Sequence, residues 1–102
     1  MSIAQQTVGT GATTIYTSSN SSAITAVYLL NDDSSSVVVQ VHVVPNGGTA
    51  GSANKIIKDL TIAAGDTYIA DTERLILDDG DTIQASASTG SVLHATISYI
   101  GV

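Results

Sequence analysis

A chain of 102 residues has room for one hydrophobic core, and this one must build it without any Phe, Trp or Cys. Nine acidic residues against three basic ones give a formal net charge of −6. That balance excludes phosphate-reading of nucleic acid, which needs clustered Lys and Arg, and disfavours attraction to an anionic membrane surface.

The remaining composition points to strands. Ser, Thr and Val are plentiful, Lys, Arg and Glu are scarce, and no window sustains a 3.6-residue period. Helix is therefore expected to be absent or confined to a turn near residues 71–73. Positive mean hydropathy and only 12% charged residues argue against disorder. The first residues, MSIAQQTVGTGATT, have neither a charged n-region nor an apolar h-region, so no secretory signal is read there, and no apolar run has the length of a membrane span. The expectation is a soluble protein made in a cytoplasm.

In chain order, strand character falls at 3–8, 13–17, 23–30, 36–44, 55–62, 67–70, 74–77, 82–87 and 92–100, separated by Gly, Asn, Asp and Ser clusters. Residues 1–12 read either as an extended arm that adds a strand to a neighbouring sheet or as an edge strand of the domain's own sheet. Residues 13–102 read as one domain. Alternation assigns faces: Leu93, Ala95, Ile97 and Tyr99 oppose His94, Thr96 and Ser98, and Ile83, Ala85 and Ala87 oppose Thr82, Gln84 and Ser86. Segment 36–44, SVVVQVHVV, is apolar on both sides, because Val38 and Val44 flank Gln40 and His42 opposite the run of Val37, Val39, Val41 and Val43. Either two layers of its own chain cover it or another subunit does. Eight or so short strands with such turns predict an all-β antiparallel sandwich, jelly-roll-like or immunoglobulin-like.

Four features invite a chemical reading. The acidic cluster Asp78, Asp79, Gly80 and Asp81 lacks the alternating ligands of a calcium loop, and Thr89 stands where the twelfth-position Glu would be. It reads as a tight hairpin turn between 75–77 and 82–87, with Gly80 at positive φ. Its Gly-Asp-Thr recurs fifteen residues earlier, AAGDTYIA (63–70) against DDGDTIQA (78–85), as two strand starts built alike. His42 and His94 would share a metal only if their strands were adjacent, and no third ligand is positioned by sequence. No G-x-S-x-G elbow supports a serine nucleophile. The longest loop, PNGGTAGSAN (45–54), lacks the Gly-Lys-Ser/Thr ending of a phosphate-binding loop and reads as a flexible linker. Neither a catalytic residue nor a metal or other cofactor is assigned. The sequon Asn20-Ser21-Ser22 is given no weight without a secretory signal.

The ordered series V-P-x-G-G (44–48), I-A-A-G-D-T (62–67), D-T-E (71–73), L-x-L-D-x-G-D-x-I-x-A (75–85) and T-x-S-Y (96–99) resembles a family of small tailed-bacteriophage virion proteins, over most of the chain from Thr13 onward. The resemblance implies a β-sandwich on the head surface, neck or tail of a particle, with no catalytic residues to carry over. The expected function is a capsid decoration, or cement, protein located in the virion. Its partners would be the major capsid protein or other virion proteins, and it would self-associate, with a trimer favoured. The alternative is a neck, tail or fibre module that binds a glycan or receptor. For that role Tyr16 and Tyr68 are the available ring platforms, since Tyr28 and Tyr99 alternate with apolar neighbours as core residues do. The residues assigned to an interface are Val38, Gln40, His42 and Val44 on the second face of 36–44, Asn46, Gly47 and Gly48 in the loop, and Lys55 and Lys58 beyond it.

Overall fold

The computed structural model describes residues 2–70 and 75–101. Nine strands form among the described residues: β1 (Ser2–Val8), β2 (Thr13–Thr17), β3 (Ser22–Asn31), β4 (Val37–Val44), β5 (Lys55–Ile62), β6 (Thr67–Ala70), β7 (Leu75–Leu77), β8 (Thr82–Ala87) and β9 (Leu93–Gly101). The one helical element among the described residues is a single 3-10 turn at Ser52–Asn54; residues 71–73, where a turn was expected, lie outside the described residues together with Arg74.

Two antiparallel sheets face one another. Sheet A runs β1-β9-β3-β6, with β7 pairing the other end of β3, and sheet B runs β2-β8-β4-β5. β6 and β7 occupy one edge: Val27 to Leu30 pair with β6, and Ser22 to Ile24 pair with β7. Counted as one position, they leave eight places in the order 1-8-3-6 over 2-7-4-5, the jelly-roll arrangement rather than the immunoglobulin one. Residues 2–8 settle as an edge strand of their own domain, in unbroken register with β9 from Ser2 opposite Tyr99 to Val8 opposite Leu93.

Period-two patterning explains what is inside. Val8, Leu29, Val37, Val39, Ile83, Leu93 and Ile97 meet between the sheets and are shut off from solvent. Each such branched side chain stabilises the fold by about 1.5–3 kcal/mol relative to exposure. The expected faces of β8 and β9 are observed, with Ala85, Ala87 and Ala95 filling the narrower places. With no Phe or Trp to fill the ends, Tyr16 and Tyr99 close the core there, ring centroids 4.3 Å apart. The Tyr16 hydroxyl bonds Ser22 Oγ at 2.6 Å, so its polar tip is satisfied.

Jelly-roll winding makes nearly every connection cross from one sheet to the other. The 78–81 turn is one of these, which corrects the hairpin expectation: β7 belongs to sheet A and β8 to sheet B. The 63–66 turn also crosses, from β5 to β6. The two are built alike in detail. Asp66 N–H donates to Ala63 O at 3.0 Å and Asp81 N–H to Asp78 O at 3.1 Å, with Gly65 and Gly80 at φ +74° and +84°. In each, the Gly N–H donates to the carbonyl of a buried polar residue, Asn31 (3.0 Å) or Ser18 (2.9 Å). That residue's own N–H returns a bond to the Asp carbonyl, at 2.9 and 2.8 Å. Asn31 and Ser18 sit where β3 and β2 end, so the same clamp fastens opposite ends of the sandwich. The sequence echo of Gly-Asp-Thr is this repeated corner.

Candidate interaction surfaces

The second face of β4 is where an interface was expected, and the structure divides it. Regular pairing with β8, from Val39 opposite Ala87 to Val44 opposite Thr82, keeps Val38, Gln40, His42 and Val44 pointing away from the core. Val38 is 36% exposed, yet Val44 is 1% and His42 6% exposed. The cover is the chain's own 45–54 loop, packed back on the strand. Pro45 to Gly48 make a turn closed by Gly48 N–H to Pro45 O (2.9 Å), with Gly47 at φ +82°. Gly48 lies directly on Val44: a β-carbon there would stand 3.3 Å from Val44 Cγ1 and 3.1 Å from Pro45 O. The V-P-x-G-G motif is thus the local instruction for this strap.

His42 fastens the far end of the strap. Its Nδ1 lies 3.1 Å from Gly51 O and 3.0 Å from Asn54 Oδ1. Asn54 Nδ2 already donates to Thr49 O, so both partners of Nδ1 are acceptors and Nδ1 carries the proton. Of the residues assigned to an interface, His42 and Val44 are therefore withdrawn from the free surface by an internal contact. Asn46 and Gly48 stay exposed but also make internal contacts: Asn46 N–H donates to Asp81 Oδ1 at 2.9 Å, and its side chain packs on Gly80. Gly47 supplies the turn geometry. Gln40 stays half-open, its amide donating to Asp59 Oδ1 at 3.1 Å. Lys55 is half-buried opposite His42, Lys58 is exposed, and neither forms an ion pair among the described residues.

The acidic turn uses its carboxylates on backbone. Asp81 accepts from Asp78 N–H (3.0 Å) as well as from Asn46 N–H, and Asp79 Oδ1 accepts from Asn20 N–H at 2.8 Å. Among the described residues no group of three or more His, Cys, Asp or Glu converges on one point. The histidines lie on opposite outer faces, since β4 is in sheet B and β9 in sheet A, so they cannot share an ion. His94 is surface-exposed, with Nδ1 3.1 Å from Thr7 Oγ1 and Nε2 4.0 Å from Asp32, a contact of small energetic weight.

The outer face of sheet A was not singled out by sequence. Register places Gln5, Thr96, Tyr28 and Ile69 in one row across four strands, with Thr7, His94, Leu30 and Thr67 beside it. Tyr28 is 39% and Ile69 50% exposed, which corrects the expectation that Tyr28 is a core residue. Tyr16, expected as a platform, is buried, while Tyr68 is exposed. A register shift between Ile24 and Ala26 turns Val27 and Leu29 inward and leaves Tyr28 and Leu30 outside. The five strands of sheet A contain no Asp, Glu, Lys or Arg in a protein of net charge −6. The available signal was AITAVYLLN, apolar on both faces as 36–44 is.

No family model matches the chain, and no curated protein matches it. Among solved structures it is similar to a chain from "Bacillus endospore appendages form a novel family of disulfide-linked pili", at 18% identity and a TM-score of 0.48, over 99% of this chain and 84% of that one.

Proposed function

We propose that this protein is a non-enzymatic structural protein of a bacteriophage virion, and within that class a capsid decoration protein that binds and stabilises the head surface. The observation that carries the reading is the outer face of sheet A, whose strands hold no Asp, Glu, Lys or Arg and which is apolar at Tyr28, Leu30 and Ile69. Depletion of charge around exposed aromatic and aliphatic side chains is the pattern of an interface centre. The motifs behind the family resemblance support it too, because they build scaffold: V-P-x-G-G makes the strap and both G-D-T turns make the corner clamps. A decoration protein needs such a scaffold, one adhesive face, and acidic loops that keep it soluble at high copy number. Binding only the mature lattice, it would stabilise that lattice by mass action. Its partners would be the major capsid protein or other virion proteins, and it would act as a homo-oligomer.

Quantitative mass spectrometry of purified particles tests this. Copies on the order of hundreds per particle support decoration, whereas about a dozen or fewer move it to the neck or tail. Absence from particles overturns the reading. A second reading, a glycan- or receptor-binding module, draws on the exposed Tyr28 ring, on which a sugar could stack. Glycan-array binding lost on Tyr28→Ala would favour it.

A further inference from the structure

The sandwich has two edges on each sheet, and they are not alike. β5 carries Lys55, Lys58 and Asp59 and departs twice from regular pairing with β4, between Val39 and Val41 and again between Val41 and His42. β2 is five residues long and irregular between Thr14 and Tyr16. The remaining edge of sheet A is split between β6 and β7, four and three residues long. Charges, bulges and short strands are the devices by which folded proteins keep an open edge from pairing with another chain. β1 has none of them. It is seven residues of SIAQQTV in unbroken register, without charge or Pro, and Ile3 is 66% exposed, the most of any large apolar side chain described.

We infer that β1 is a pairing edge whose partner is β1 of a second copy of this chain, antiparallel about a two-fold axis at Gln5. Three observations select a second copy. In that register Gln5 meets Gln5, each amide keeping one donor and an acceptor beside its Nε2 bond to Thr96 Oγ1 (3.4 Å), Ile3 of one copy meets Thr7 of the other, and small Ala4 leaves room for Gln6. Two acidic molecules approach there without repulsion between strands, because β1, β9 and β3 are uncharged. The other edges are guarded, so β1 pairs only with itself, and an isologous contact closes as a dimer instead of growing into a fibre. The product is one continuous sheet, β6-β3-β9-β1 followed by its mirror order, and the two uncharged outer faces join on one side. The symmetry differs from the trimer favoured by sequence, and the inference stands independently of the virion reading.

A seven-residue edge contact is smaller than the roughly 1,000 Å² of a stable interface, so the isolated dimer is weak, with a Kd on the order of 0.1–1 mM. Sedimentation of the full chain from about 0.01 to 2 mM should show the mass rising from 10.3 kDa toward the dimer value. Gln5→Lys sets two ammonium groups against each other at the axis and should hold the protein at monomer mass over that range, with an unchanged circular dichroism spectrum. Ile69→Lys, on the outer face, should leave the dimer intact. A wild-type mass that stays at 10.3 kDa, a dimer indifferent to Gln5→Lys, or one abolished by Ile69→Lys overturns the inference. Amide exchange of the wild-type protein decides the matter even if the Lys variant misfolds. Exchange in β1 should slow as concentration rises, and concentration-independent exchange there overturns the pairing. None of these measurements involves a capsid, so failure of the edge contact and failure of the decoration role are read separately.

Discussion

The two outer faces of the sandwich begin from similar sequence and end differently. β3 and β4 both offer apolar residues on two sides. On sheet B most of the excess at β4 is resolved within the chain, Val38 staying exposed: the strap seals Val44 and His42, and Asp59 engages Gln40. On sheet A the excess at β3 is left open, with Tyr28 and Leu30 beside Ile69. A doubly apolar strand therefore signals that something covers it, without saying whether that is a loop or another molecule. The deciding fact is the nearest long loop. The one after β4 is ten residues long and carries the turn, and the acceptors Gly51 O and Asn54 Oδ1 for His42 of β4, that it needs to fold back, while β3 is followed at once by the clamped corner at Asn31.

Substitutions can break or sharpen this contrast. The largest effect is expected at Val44→Asp, which places a carboxylate beneath the strap and should cost about 3–5 kcal/mol or prevent folding. Val38→Asp on the same strand face should shift stability by less than about 0.5 kcal/mol. Urea titration of both variants checks the pair, and equal costs would mean the strap does not divide the face. Next come the corner glycines. Gly80→Ala combines φ +84° with a β-carbon 2.5 Å from Asn46, and should cost about 2–3 kcal/mol. Gly65→Ala, at φ +74° with open space around it, should cost only about 1 kcal/mol. Adding Asn46→Ala should recover the difference in the first case alone, a coupling that a double-mutant cycle measures.

His42→Ala removes the bond that ties the strap to β4, leaving Gly51 O and Asn54 Oδ1 with only their mutual backbone partners, Asn54 N–H (3.3 Å) and Gly51 N–H (3.0 Å), for a loss of about 1 kcal/mol. Limited proteolysis should then cut within 46–54 several times faster than in the wild type, at a site the native strap protects. The smallest stability effect belongs to Tyr28→Ser with Ile69→Ser. Both side chains are already partly solvated, 39% and 50% exposed, so the melting temperature should fall by only a few degrees. Binding to particles should nevertheless be lost in a co-sedimentation assay. Retained binding would take the adhesive role away from sheet A.

Most strands were legible because period-two alternation is a local signal. The read segments match the nine strands closely, and the faces of β8 and β9 follow directly from Ile83, Ala85, Leu93 and Ile97. Which sheet each strand joins was not legible. Alternation says which side of a strand is buried and nothing about its neighbour, so the Asp78–Asp81 turn looked like a hairpin when it is a crossing. The shift at Ile24–Ala26 inverts the inside and outside of β3, and no residue there announces a bulge, so Tyr28 was misassigned. For the candidate surface the sequence held half the information. The apolar excess of β4 was visible, but Gly48 resting on Val44 and His42 reaching Gly51 are contacts between segments whose folding path no periodicity encodes.

The winding also bears on how the chain reaches its native state. Among the described strands, β4 and β5 are the one pair adjacent in sequence that hydrogen-bond to each other; every other ladder joins strands distant along the chain. Distant pairings pay for long loop closure before any contact rewards it, so folding is expected to be slow and the β4–β5 hairpin to form first. β4 is also the segment most prone to stack with copies of itself, VVVQVHVV being β-branched, uncharged and free of Pro. The hairpin removes that segment from circulation at the earliest moment, beside a strand whose lysines and bulges discourage further addition. The strap that hides Val44 in the finished molecule is the loop of this hairpin, so the same ten residues would shield the nascent chain from its own most adhesive stretch.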